Sequence, residues 1–96
     1  SIQVGTVSTL EAESKTYNSA ELTWDKVEDV SGYEVYMSTQ QDGHYTLKST
    51  IKENSTTSAN ISGLDTNTTY YFKVRAYKES GNNKNYGEYS PVIYAI

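Results

Sequence analysis

The sequence predicts an all-β domain, a seven-stranded antiparallel sandwich of two sheets. Three observations predict it. Apolar residues recur with a period of two along most of the chain, and the breaks between those runs carry turn chemistry at fairly regular spacing. No window of comparable length fits the i, i+3, i+4, i+7 pattern of an amphipathic helix better. Period two is what a half-buried strand requires, because successive side chains point to opposite faces of a sheet.

The first strand has the weakest pattern. It is read over Val4 to Ala12 as an edge strand using Val7, Leu10 and Ala12, after a linker over 1–5, which leaves 6–96 as the domain. The second places Ala20, Leu22 and Trp24 inward against Glu21 and Thr23. After Ser31-Gly32, the third alternates Tyr33, Val35 and Met37 with Glu34 and Tyr36. Asp42-Gly43 reads as a hairpin turn before the fourth, where Tyr45 and Leu47 form the inward set. Ala59 and Ile61 mark a short fifth strand between the polar stretch Glu53 to Thr57 and Ser62-Gly63. The sixth is the clearest: Tyr70, Phe72, Val74 and Ala76 inward, Tyr71, Lys73, Arg75 and Tyr77 outward. Glu79 to Tyr86, with Gly81 and several asparagines and lysines, reads as a long exposed loop. Pro91, the one proline, opens a seventh strand with Val92, Tyr94 and Ile96 inward, where a missing N–H is tolerated.

Composition narrows the function classes. Ninety-six residues make one domain, which buries roughly 60–65% of the surface of its unfolded chain. Hydrophobic residues make up only 35%, and ten of the aromatics are tyrosine, a ring with a polar tip suited to thin sheets with one wet face. The absence of cysteine excludes a disulfide framework, a thiol nucleophile and a cysteine metal site. A net charge of −4 argues against a dedicated nucleic-acid or anionic-membrane binder. No apolar run approaches the ~18 residues of a membrane span. No signal peptide is visible at the start, and the chain reads as a piece of something longer.

Several fragments, in order, resemble one family. Ala20-Glu21-Leu22-Thr23-Trp24 resembles the second strand of fibronectin type III domains, with its buried tryptophan, and Gly32-Tyr33-Glu34-Val35-Tyr36 the third. Leu64 to Tyr70 resembles the family's loop of leucine, proline, glycine, threonine and tyrosine, with Thr66 and Asn67 where proline and glycine are common. Tyr70 to Tyr77 is similar to the sixth strand, and Tyr89-Ser90-Pro91-Val92 to the start of the seventh. The resemblance covers Leu10 to Ile96 and implies an immunoglobulin-like β-sandwich, with strands one, two and five in one sheet and three, four, six and seven in the other. It also implies a tyrosine corner at Tyr70, whose hydroxyl bonds backbone a few residues upstream. The proline-rich approach to the first strand and the adhesive Arg-Gly-Asp tripeptide of some animal members are both absent. The tyrosine-rich wording is similar to bacterial modules attached to secreted or cell-wall enzymes.

The wet face of strands three, six and seven is the candidate interaction face: Tyr36, Tyr71, Lys73, Arg75, Tyr77 and Ile93. Aromatics and arginine enrich contact surfaces, and the bland account is cross-strand pairing of rings and cations. Asp25, Glu28 and Asp29 read as surface carboxylates rather than a calcium loop. His44 has no specified nucleophile beside it, and no nucleophile elbow is present. No catalytic residue, cofactor or metal is expected. Three Asn-x-Ser/Thr acceptors, at Asn54, Asn60 and Asn67, are expected to be unused in a bacterial chain. The expected role is that of a non-catalytic spacer and interaction module in a larger extracellular bacterial protein, its parent a polysaccharide-degrading or cell-wall hydrolase. The expected partners are neighbouring domains of the same polypeptide, another protein or a polysaccharide, and the isolated domain is expected to be a monomer. The alternative is a carbohydrate-binding module using Tyr36, Tyr71 and Tyr77.

Overall fold

The computed structural model describes residues 4–65 and 68–95, and what these residues do follows from how the alternating runs find partners. They form β1 (Leu10–Thr16), β2 (Ser19–Trp24), β3 (Gly32–Ser38), β4 (Thr46–Ile51), β5 (Ser58–Ile61), β6 (Tyr70–Ser80), β7 (Asn83–Tyr86) and β8 (Ile93–Ala95). Sheet A has the order β1-β2-β5, and sheet B runs β4-β3-β6, with β7 and β8 both paired to β6. Every pairing is antiparallel. This is the sandwich the alternation predicts, with the predicted division of strands between sheets.

The dry layer between the sheets is made of the residues with inward parity. Leu10, Ala20, Leu22, Trp24 and Ile61 come from sheet A, and Tyr33, Val35, Tyr70, Phe72, Val74 and Ala76 from sheet B. Val7 and Val30 close it from the loops. Trp24 meets Tyr33 edge-on, with ring centroids 5.3 Å apart. The buried Tyr33 hydroxyl donates to the carbonyl of Asn54 at 2.8 Å and accepts the Val27 N–H at 3.0 Å, so burial of the phenol carries no unsatisfied group. Trp24 lacks that compensation: its buried Nε1 has no hydrogen-bond partner. The tyrosine corner is present, with the Asp65 N–H donating to the Tyr70 hydroxyl at 2.8 Å. Thr66 and Asn67 lie outside the described residues, as does Ile96.

The structure departs from the sequence reading in several places. The first strand begins at Leu10 and continues to Thr16, past the end read at Ala12, and turns at Tyr17-Asn18 directly into β2. Its tail, Glu13 to Thr16, is exposed on the edge of the sheet, so nothing apolar is needed there and alternation is silent. Val7 is buried as expected, but from an irregular lead-in. Of the linker read over 1–5, residues 1–3 lie outside the described residues, and Val4 packs against the core.

Between β3 and β4 the turn is closed by the Gly43 N–H donating to the Gln40 carbonyl, so Gly43 takes the last place of the turn and Asp42-Gly43 is not its central pair. The register then slips: Val35 pairs with Ser49 but Tyr36 with Leu47, leaving Lys48 as a bulge. One extra residue inverts parity. Leu47 therefore lies on the outer face, 45% exposed, and Tyr45 joins that face too.

Residues 79–86 are not a loop. β6 runs on to Ser80 and returns as β7 through the two-residue turn Gly81-Asn82. Gly81 has φ 60°, the left-handed value that a hairpin turn with glycine at its first central position requires. Asparagine and lysine mask the strand because this hairpin extends past the core.

In the last strand the inward residue is Ile93, paired with Phe72 and packed on the core, while Val92 and Tyr94 are 37% and 62% exposed. Both parities of Val92 to Ile96 are apolar, so the sequence offers no contrast to choose between them. Opposite residues 73–76 of β6 the returning chain spends residues 87–92. Ser90 bridges this irregular stretch: its N–H donates to the Val74 carbonyl at 2.7 Å, and its hydroxyl accepts the Val74 N–H at 3.0 Å. The kink turns Ser90 inward and Tyr89 outward.

Candidate functional site

The outer face of sheet B is built on the β3–β6 register, which sets Gly32 opposite Tyr77, Glu34 opposite Arg75, Tyr36 opposite Lys73 and Ser38 opposite Tyr71. Glu34 is its centre. At 4% exposure it is the one buried charged residue among the described residues, and it is fully engaged. The Arg75 Nε donates to its Oε1 at 2.9 Å, the Tyr36 hydroxyl donates to the same oxygen at 2.9 Å, and the Lys84 ammonium lies 3.8 Å from the other. Arg75 also donates from Nη2 to the Tyr36 hydroxyl at 2.9 Å, closing a three-membered ring of hydrogen bonds. Breaking up such a set leaves a buried charge without its partner, so its members hold one another in place.

Tyrosines from four segments pack around these cations. The Arg75 guanidinium lies 3.7 Å from the centroid of Tyr86 and 5.0 Å from that of Tyr89. The Lys73 ammonium sits between Tyr89, at 3.9 Å, and Tyr45, at 4.3 Å. Tyr36 and Tyr89 meet edge-on at 5.3 Å. Each such contact contributes about 0.5–1 kcal/mol at a partly exposed site, so the face is held by many small directed terms.

Burial raises the Tyr36 phenol well above its ordinary value, helped by its hydrogen bond to Glu34. Burial also raises Tyr45, with Asp42 adding to the effect, and Tyr77, where Lys84 opposes and Glu79 adds. Burial lowers the Arg75 guanidinium, but the Glu34 hydrogen bond together with the charges of Tyr36, Tyr89 and Glu34 outweighs it, and the net direction is up. Every one of these shifts favours the form present at neutral pH. The chemistry on offer is cation and ring display rather than proton transfer.

The six predicted face residues divide. Tyr36, Lys73 and Arg75 are brought together in one network. Tyr71 lies farther along, half-buried and tilted against Tyr94 at 6.2 Å. Tyr77 is on this side of the sheet but is 1% exposed, so it offers no open ring. Its hydroxyl reaches Gly32, where an added Cβ would meet the Ile51 carbonyl first and the Tyr77 hydroxyl at 2.9 Å, and Lys84 caps the ring at 4.3 Å. Ile93 faces the core and leaves the set. Sequence parity missed Glu34, Tyr45, Lys84, Tyr86 and Tyr89. Tyr45 was hidden by the bulge, Lys84 and Tyr86 by the reading of β7 as loop, and Tyr89 by the kink. Glu34 had outward parity, and a carboxylate opposite an arginine was the available signal.

Elsewhere, Asp25, Glu28, Asp29 and His44 are exposed. Asp29 has φ 62°, as a turn residue. Among the described residues, no group of three or more His, Cys, Asp or Glu is placed to hold a metal ion, and no helix is long and apolar enough to cross a membrane.

Comparison with known proteins places this geometry. The family model of the fibronectin type III domain matches residues 5–93. Ephrin type-A receptor 3 of Danio rerio is 42% identical over 94 residues, which covers 92% of this chain and 9% of the receptor. A solved Fn3-like protein from Clostridium thermocellum is 29% identical, with a TM-score of 0.72, over 91% of this chain and 85% of that one. The sixth fibronectin type III domain of human fibronectin type III domain containing protein 3 shares the fold at 20% identity, with a TM-score of 0.79, over 100% of this chain and 87% of that one.

Proposed function

Because the chain belongs to the fibronectin type III family, we propose that it is a non-catalytic module of a larger extracellular protein, a rigid spacer whose sheet B face contacts a neighbouring domain or another protein. The family's domains are generally non-catalytic and commonly contact their neighbours. The observation that carries the spacer reading is the placement of the ends. Gly5 lies against Gly87, whose N–H donates to the carbonyl of Ala76, whereas Ala95 pairs with Tyr70. Along β6 the two are six residues apart, about 20 Å at ~3.4 Å per residue. Chain arriving at one end of the sandwich therefore leaves from the other. A receptor of which this chain spans a small fraction supports an extracellular, multidomain setting. The similarity to a Clostridium protein supports a bacterial one.

The carbohydrate-binding alternative has less support. Sugar stacking needs open ring faces, and here Lys73 and Arg75 already lie over Tyr89 and Tyr86.

The test is single-molecule energy transfer between dyes on the flanking domains of the parent polypeptide. With the native domain the separation is a single narrow distribution. With residues 6–95 replaced by Gly/Ser repeats of equal length it broadens around a span of about 50 Å. Equal breadth in both chains overturns the spacer reading.

A further inference from the structure

We propose that the sheet B face takes the outer face of sheet A from a second copy of this chain, a face-to-back contact driven by opposite charge. The outer face of sheet A carries Glu11, Glu13 and Glu21, with Lys15 the cation among them, 3.5 Å from Glu13 and 3.6 Å from Glu21. One lysine against three glutamates leaves it acidic. The centre of the sheet B face is the reverse: Lys73, Arg75 and Lys84 against the single carboxylate of Glu34. Of the nearby acids, Asp42 lies in the β3–β4 turn and Glu79 near the β6–β7 hairpin tip, at its margins.

The two surfaces differ in more than sign. Sheet B shows Leu47, Tyr86 and Tyr89, each more than a third exposed, around a lysine already stripped of some water by two rings. This is the tyrosine-and-cation composition of an interface core. A sandwich measuring 43 × 25 × 22 Å presents a face of at most about 1,000 Å², enough to hold the ~800 Å² per partner of a standard interface. Pairing sheet B with sheet B would set cations against cations, so the contact is heterologous and propagates as a stack. It is weak: at physiological salt the Debye length of about 8 Å screens it, and the isolated domain stays monomeric at micromolar concentration. High local concentration, as on a surface or in a repeated array, is where it acts. It rests on the interaction part of the proposed function and not on the spacer part.

Sedimentation velocity on the purified domain, from 10 μM to 1 mM in low and high salt, tests it. The expected result is a weight-average mass that rises with concentration in 20 mM salt and falls back to monomer in 500 mM salt. Lys73→Glu and Glu11→Lys, each alone, weaken association on the order of tenfold. Mixing the two variants restores it, because the acidic face of one then meets the basic face of the other. Glu11 is exposed on an edge strand, so its variant reads the contact even if Lys73→Glu disturbs the ring packing. A monomer at 1 mM in low salt overturns the proposal. So does association that ignores salt, or variants that are weakened alone and stay weakened when mixed. None of these outcomes bears on the energy-transfer test of the spacer.

Discussion

On its inner side β6 presents Phe72, Val74 and Ala76, all fully buried. On its outer side, one residue along each time, it presents Lys73, Arg75 and Tyr77, each held by named partners on other segments. The inner side is stabilised by area removed from water, about 25 cal/mol per Å², with no direction to satisfy. The outer side is stabilised by angles and distances, in units of a kcal/mol or less. One strand thus shows what each kind of force asks of a sequence. The dry side needs apolar residues of suitable volume at alternate positions. The wet side needs particular residues on β3, β7 and the Tyr89 kink before any contact exists.

The comparison predicts unequal losses. Phe72→Ala, which empties the dry layer where Ile93 and Met37 pair beside it, is expected to cost about 3–5 kcal/mol. That is much of the ~5–15 kcal/mol that holds such a domain together, and urea titration reads it as a midpoint falling towards zero. Glu34→Gln is expected to cost less, about 2–3 kcal/mol, because the Arg75 it strands is one-fifth exposed and regains water. A double-mutant cycle with Arg75→Met sharpens this. The pair should couple, so that the double variant loses less than the sum of the two. Additive losses would mean that the Glu34–Arg75 contact is incidental and that the outer face is held by area, like the inner one.

How much of each side was legible follows from the same distinction. Alternation gave the dry layer of β2, β3 and β6, because Ala20, Leu22, Trp24, Tyr33, Val35, Phe72 and Val74 each stand beside a polar neighbour. It failed wherever contrast or count was lost. Val92 to Ile96 is apolar in both parities. Lys48 adds a residue to β4 and turns Tyr45 and Leu47 outward. β7 reaches past the core, so Asn83, Lys84 and Asn85 have no apolar signature to show. The outer network inherits the last two failures through Tyr45, Lys84 and Tyr86, and the kink at residues 87–92 hid Tyr89 as well. Only the part carried by regular strands, Tyr36 with Lys73 and Arg75, was visible from parity. Tyr77 was assigned the right side of the sheet, but its burial depends on Gly32 across the ladder and Lys84 above it, which parity does not count.

Ser90 probes the seam between the two sides. It is nearly fully buried, and its hydroxyl takes the N–H of Val74 that the irregular strand leaves without a backbone acceptor. Ser90→Ala is expected to cost about 1–2 kcal/mol, the penalty of one buried donor left unpaired. Ser90→Thr keeps the hydroxyl but adds a methyl in a closed space. If thermal unfolding places Ser90→Ala within a few tenths of a kcal/mol of the parent, then water reaches Val74, and the kink is a flaw in the sheet rather than a plug.

The smallest effect is also the most specific to the outer face. Tyr36, Tyr45 and Tyr77 are all raised above the ordinary tyrosine value of 10.0, with burial the leading cause in each. In the unfolded chain they lose their protons near that value, while in the fold they keep them to higher pH. Between the two the native state binds more protons, so stability is intact below pH 10 and falls as pH rises beyond it. Absorbance at 295 nm should show a fraction of the tyrosines ionising late, with unfolding accompanying their titration. Tyr36→Phe is expected to cost about 1 kcal/mol at pH 7, through the loss of its bonds to Glu34 and Arg75, and to make the alkaline loss of stability shallower. A variant whose stability falls as steeply as the parent's above pH 10 would show that Tyr36 ionises freely in the fold. The buried ring of hydrogen bonds around Glu34 would then be open to solvent, and the two sides of β6 would differ in composition but not in how they are held.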